Sequence, residues 1–188
     1  MAKPMIPRDR NQAYERAPLG ELLGVLLRQF KRLLAAQGIP LTDGEAVMLG
    51  GQIAARSAPP ERVEPLRAAL RALVDESAAV LARWNLTFAQ SLETEMSDIP
   101  GWETTAEFLA IANEKANAEL RIATGAALLV ALGDMTYVPV LLYLVERERT
   151  AGSDLDTVIA RRVLLSASGI DPTAPDWRRQ LAEWASAF

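Results

Sequence analysis

An all-α fold is predicted by three features of the chain. Half of its 188 residues are hydrophobic but only 6% are aromatic. Ala, Leu, Glu and Arg are abundant and favour helix, whereas runs of the Val, Ile and Thr that favour strand are few. Apolar residues recur at three- and four-residue spacing along most of the length, the period of a helix buried on one face. Helix-stopping residues separate these segments, at Gly38, Pro59 and Pro60, Gly133 and Gly169.

The elements follow in order. After a polar leader, "APLGELLGVLLRQFKRLLAAQG" carries Leu19, Leu22, Leu23, Leu26, Phe30, Leu33 and Leu34 on one side and Arg28, Lys31 and Arg32 on the other. Pro18 suits a first turn, and Gly38 suits a stop. In "LTDGEAVMLGGQIAARSAPP", Thr42 and Glu45 have capping-box spacing, and Gly50, Gly51, Ala54 and Ala55 allow a neighbouring helix to come close. A third helical stretch runs from about Val63 through Leu66, Leu70, Leu73, Leu81, Trp84, Phe88 and Leu92. Pro65 belongs in its first turn. The stretch is long enough for one helix or for two broken near Asn85.

Thr104 and Glu107 offer a second capping box, opening a helix whose stripe is Phe108, Ala112, Ala116, Leu120, Ala123, Ala127 and Val130. Beyond it, Ile122 to Val145 contains a single charge, Asp134. A bilayer span takes about 20 consecutive apolar residues, and the charge-free runs on either side of Asp134 are 12 and 11 residues. The segment is therefore two helices meeting at a turn. Gly133 ends the first, Asp134 or Thr136 caps the second, and Pro139 falls in the second's first turn, ahead of an inward stripe of Val138, Leu141, Leu142 and Val145. A further helix ends at Gly169. In the last one Thr173 and Asp176 sit at capping distance, and Trp177, Leu181, Trp184 and Phe188 share a side, with the two tryptophans expected to close the core.

The chemistry available to the chain is restricted. It has no cysteine and no histidine, which excludes disulfides, thiolate and imidazole catalysis, and the zinc and di-iron sites that need those ligands. Net charge is −4, distributed as 7 basic and 3 acidic residues over 1–40, 6 and 13 over 41–120, and 7 and 8 over 121–188. This balance argues against nucleic-acid binding driven by phosphate neutralisation. No metal or other cofactor is expected. The leader has no apolar core of signal-peptide length, so a cytoplasmic address is expected.

"AALLVALGDMTYVPVLLYLVE" resembles the HEAT repeat, in which one helix ends in A-x-x-L-x-x-L-G-D and the next opens V-P-x-L-L-x-L-L. The matching residues are Ala126, Leu129, Leu132, Gly133 and Asp134, then Val138, Pro139, Leu141, Leu142 and Leu144. Ser168, Gly169, Asp171, Trp177 and Arg178 are similar to the closing segment of bacterial HEAT-like proteins. The chain departs from the pattern at Ile122 and Ala123, where a Val-Arg pair is usual, at Ala167, and in the long connector from Thr150 to Thr157. The resemblance covers residues 113–188 and implies antiparallel helical hairpins whose surface binds other proteins, often without catalysis. The organisation expected is a leader (1–17), an N-terminal helical region (18–100), either a bundle or degenerate hairpins, and a HEAT-like region (101–188), joined as one domain.

On that reading the partner is a protein. The polar stripe of the inner helices, Glu114, Asn117 and Arg121 on one helix and Arg161 and Arg162 on another, is its candidate binding face. Two enzyme alternatives stay open. Glu61, Glu64, Asp75 and Glu76 offer oxygens for a Mg²⁺-dependent all-α nucleotide hydrolase, although their spacing departs from that family's E-x-x-E and E-x-x-D pattern. Arg161, Arg162, Arg178 and Arg179 near Trp177 offer a basic groove for a HEAT-like nucleic-acid enzyme, offset by Glu146, Glu148, Asp154 and Asp156.

Overall fold

The helices expected from the sequence occur in order in a computed structural model, which describes residues 14–93, 106–151 and 155–188, the side chains of 86–93, 106–109, 111 and 148–151 excepted. They are α1 (Leu19–Ala36), α2 (Asp43–Ala54), α3 (Pro60–Glu93), α4 (Ala106–Ala131), α5 (Val138–Ala151), α6 (Leu155–Ser168) and α7 (Trp177–Ala185). A 3₁₀ turn, Met135–Tyr137, joins α4 to α5. The Thr104–Glu107 capping box, the leader up to residue 13 and the side chains of Phe88, Leu92 and Phe108 lie outside the described residues.

Helix α1 buries Leu22, Leu23, Leu26, Leu27, Phe30 and Leu34, with Leu19 and Leu33 half-buried at the margins of the stripe. It ends at Gly38, whose φ of +82° lets the Ile39 N–H donate back to the Leu34 carbonyl at 2.8 Å. Thr42 and Glu45 form the expected capping box at the start of α2, each side chain bonded to the other's backbone N–H. The two helices then meet backbone to backbone. A Cβ on Gly50 would lie 2.3 Å from the Gly24 nitrogen and 2.6 Å from the Gly20 carbonyl oxygen.

Helix α3 is a single 34-residue helix, unbroken at Asn85. It begins at Pro60, so Pro65 lies inside it and not in its first turn as the sequence reading required. Pro65 and Glu61 are both exposed, so the Glu61 carbonyl deprived of its i+4 donor can turn to water. The stripe expected on α4 also needs correction: Ala116 is exposed and Leu120 is 44% exposed, while Ala118 is buried. From Ala123 to Val130 every residue is buried, as an all-round apolar segment must be.

The turn after α4 is the one expected. Gly133 has φ +88°, its N–H donates to the Val130 carbonyl at 2.9 Å, and the Asp134 N–H donates to the Leu129 carbonyl at 2.9 Å. Those are the two bonds of a Schellman stop. The Asp134 carboxylate accepts from the Thr136 N–H and so opens the 3₁₀ turn. Pro139 then occupies the first turn of α5, whose Val138, Leu141, Leu144 and Val145 are buried while Leu142 is half-buried.

The helices pair as antiparallel hairpins, α1 with α2, α3 with α4 and α5 with α6; α4 packs against α6 as well, and α7 rests on α5 and α6. One apolar core runs through all of them, from Leu22 to Leu181. At the C-terminal end it is sealed by Leu181 and Ala185, which are buried, whereas Trp177 and Trp184 are half-buried over the seam and Phe188 is exposed. The expected cap differs too. Asp171 receives the N–H and hydroxyl of Thr173, and the Asp176 carboxylate is taken by Arg179 and Gln180 instead of the helix backbone. No helix among the described residues is long and apolar enough to cross a membrane.

Candidate functional site

The outer side of α2 departs from ordinary solvation. A helix with one side in water usually carries charge there, yet from Ala46 to Ala55 the sequence has none. Ala46, Leu49, Gly50 and Ile53 are buried against the core. The other side presents Gly44, Val47, Met48 and Gly51, with Val47 47% and Met48 52% exposed. Gly44 and Gly51 are seven residues apart, hence on one face, and a Cβ on either would meet nothing within 4 Å. Two ion pairs, Lys31–Asp43 at 2.7 Å and Arg62–Glu45 at 3.4 Å, tie the start of this helix to its neighbours.

The polar stripe expected to bind a partner has a mixed environment. Glu114 and Asn117 are exposed on α4 and Arg121 is half-buried. Arg161 on α6 pairs with Glu15 at 2.8 Å, and Arg162 donates to the Tyr14 carbonyl, so both arginines hold the segment preceding α1. Burial, with the adjacent Arg161 charge, pulls the Arg162 guanidinium below its usual range, against the pull of Glu15.

The acidic residues considered for catalysis are not gathered into a site. Glu61, Glu64, Asp75 and Glu76 are exposed on one helix, the first and last about 22 Å apart at 1.5 Å per residue. Glu64 pairs with Arg67 at 2.7 Å, and Glu76 accepts from Gln37 at 3.2 Å. Among the described residues no three acidic side chains come together in a way that would hold a metal ion. In the basic set, Arg178 lies 4.4 Å from the Trp177 ring centre and donates to the Val145 carbonyl, and Arg179 pairs with Asp176 at 2.7 Å.

A polar latch not apparent from the sequence joins α3 to the turn after α4. Arg67 donates to the Leu132 carbonyl at 2.7 Å, and Arg71, one turn on, meets the Asp134 carboxylate at 2.7 Å through both Nε and a terminal nitrogen. Burial would raise the Asp134 pKa, but the bonds from Arg71 and Thr136 and the Arg71 charge outweigh it and hold the carboxyl below its ordinary value. The stability gained from this depression is complete above about pH 4, the unfolded value, and is lost as pH falls through the lower folded value. Asp134→Ala should cost about 1–3 kcal/mol at neutral pH. In urea melts the difference between variant and parent should shrink below pH 4; a difference that persists unchanged there would place the effect in packing.

Beside this turn lies a cleft of about 450 Å³, formed where α2, α4 and α6 end and α1 and α3 begin. Most of the residues that line it are aliphatic, joined by Gly133, Ser166 and, as the one charged residue among those described, Arg56. No protein-family model, curated protein or solved structure matches the chain.

Proposed function

We propose that this chain works by binding another protein, as an interaction or scaffold subunit, and that the outer side of α2 is the contact. The observation that carries this reading is the charge-free exposed face formed by Gly44, Val47, Met48 and Gly51. Val47 and Met48 supply apolar area, and the two glycines leave room for a backbone to approach. A partner helix with small and apolar residues fits that relief. In this proposal Glu114 and Asn117 are secondary contacts, and Arg161 and Arg162 act by fixing the N-terminal segment.

HEAT-like stacking belongs to the same proposal. The antiparallel hairpins and the Gly133–Asp134 stop support it. Since α4 pairs chiefly with α3, and α5 with α6, the units would be α1–α2, α3–α4 and α5–α6, with the Gly133 turn joining two of them.

A photo-crosslinking residue placed at position 48 in the native cell, with a control at exposed position 28 on α1, tests the reading. One discrete protein adduct is expected at position 48 and none at 28, and Val47→Glu should remove it. Identical adducts at both positions, or an adduct indifferent to Val47→Glu, would refute it. An adduct only with a second copy of the chain would replace the foreign partner by self-association.

A further inference from the structure

The cleft carries a second reading, separate from the partner surface, because none of Gly44, Val47, Met48 and Gly51 lines it. Its volume of about 450 Å³ falls within the roughly 300–1,000 Å³ of small-molecule sites. The residue that gives it character is Arg56. Four described residues in this fold have positive φ: Gly38, Gly133 and Gly169 are glycines that end helices, and the fourth is Arg56 at φ +54°. It too ends its helix, for the Arg56 N–H donates to Ile53 and the Ser57 N–H to Gln52. Glycine adopts this conformation at little steric cost, and arginine does not. A side chain kept where the backbone favours glycine points to a use for the side chain.

The Arg56 side chain is exposed and forms no ion pair or hydrogen bond with a described residue. We propose that the cleft binds a single-chain aliphatic carboxylate, its alkyl chain against Leu19, Val63, Met135 and Ala167 and its carboxylate held by the Arg56 guanidinium. A planar carboxylate matches the guanidinium fork. Charge count favours it over a phosphate monoester. Among the described residues one cation lines the cleft, and the partial negative charge of the three helix C-termini there outweighs the partial positive charge of the two N-termini, so a second negative charge on the ligand would be left uncompensated.

Calorimetry on the intact protein tests the proposal, with sodium decanoate below its micellar range, decanol, decyltrimethylammonium and phosphatidylglycerol vesicles as probes. Decanoate should saturate at one site, and decanol and the cationic analogue should bind at least about tenfold more weakly. Arg56→Gly should remove the preference for decanoate while leaving Tm unchanged or higher, because glycine suits the positive φ. Ala167→Phe, which fills the cleft from its wall, should abolish binding of both decanoate and decanol. The proposal is overturned if decanoate gives no saturable isotherm, if decanol binds equally well, or if Arg56→Gly binds decanoate like the parent. It is also overturned by binding to the vesicles without binding to decanoate, which would make Arg56 a contact for a membrane surface.

Discussion

Gly50→Ala is expected to be among the most damaging single substitutions in this protein, although it adds one methyl group. The new Cβ would sit 2.3 Å from the Gly24 nitrogen, 2.6 Å from the Gly20 carbonyl oxygen and 2.7 Å from the Gly24 Cα. All three are backbone atoms, so no side chain can rotate away and α1 and α2 must separate along their contact. Separation loosens Leu22, Leu26, Leu49 and Ile53, which are buried in the core these helices share. Overpacking typically costs about 1–3 kcal/mol, and here the upper end or beyond is expected, against roughly 5–15 kcal/mol for a whole domain. Gly125 provides an internal comparison. A Cβ there meets the Val74 Cγ2 at 2.6 Å, the end of a side chain. Gly125→Ala should therefore cost less than Gly50→Ala, and less again when introduced into Val74→Ala. Equal unfolding midpoints for Gly50→Ala and the parent would show that the helices do not touch through their backbones.

Leu181→Ala is the second large effect. Leu181 is fully buried, at 0% exposure, and lies on the short helix that seals the core over α5 and α6. Its truncation removes three buried carbons and leaves a cavity, a loss of about 2–5 kcal/mol. Trp184→Ala should cost less, because Trp184 is only half-buried and packs edge-on against the exposed Phe188 at 5.1 Å between ring centres. Thermal melts of the two variants decide between them. A larger loss of Tm for Trp184→Ala would return the closure of the core to the tryptophans, as the sequence pattern had it.

The two tryptophans show where sequence reasoning stops. Spacing put Trp177, Leu181 and Trp184 on one side of α7, but a nine-residue helix has room for little more than one buried row, and Leu181 and Ala185 form it. Local signals fared better. Thr42 with Glu45, Gly38, Gly133 and Gly169 each ended or began a helix where their chemistry requires, because caps and stops depend on residues within one turn. Interactions between distant parts of the chain were less legible. The latch joining Arg67 and Arg71 to Leu132 and Asp134 spans more than sixty positions, and no periodicity announces it. Ala116 and Leu120 lay on an apparent stripe of α4 but face solvent, since the bearing of a helix is fixed by its neighbours as well as by its own pattern.

The candidate surface was half legible. The glycine pair Gly50–Gly51 signalled close packing, and Gly50 supplies it, while Gly51 turns outward beside Val47 and Met48. That these apolar residues face outward depends on which side of α2 meets α1, which the sequence alone does not state. Arg161 and Arg162 were legible as a basic pair, but their engagement with Glu15 and Tyr14 across some 146 positions was not.

The most direct test of binding through α2 is the affinity of the crosslinked partner for the purified chain carrying Val47→Glu and Met48→Glu together. Both side chains are about half exposed, so Tm should move little, whereas burying two carboxylates in an apolar contact should weaken binding by at least about a hundredfold. Unchanged affinity in the double variant, with binding lost instead in Glu114→Ala or Asn117→Ala, would contradict the account and move the contact to the polar stripe of α4.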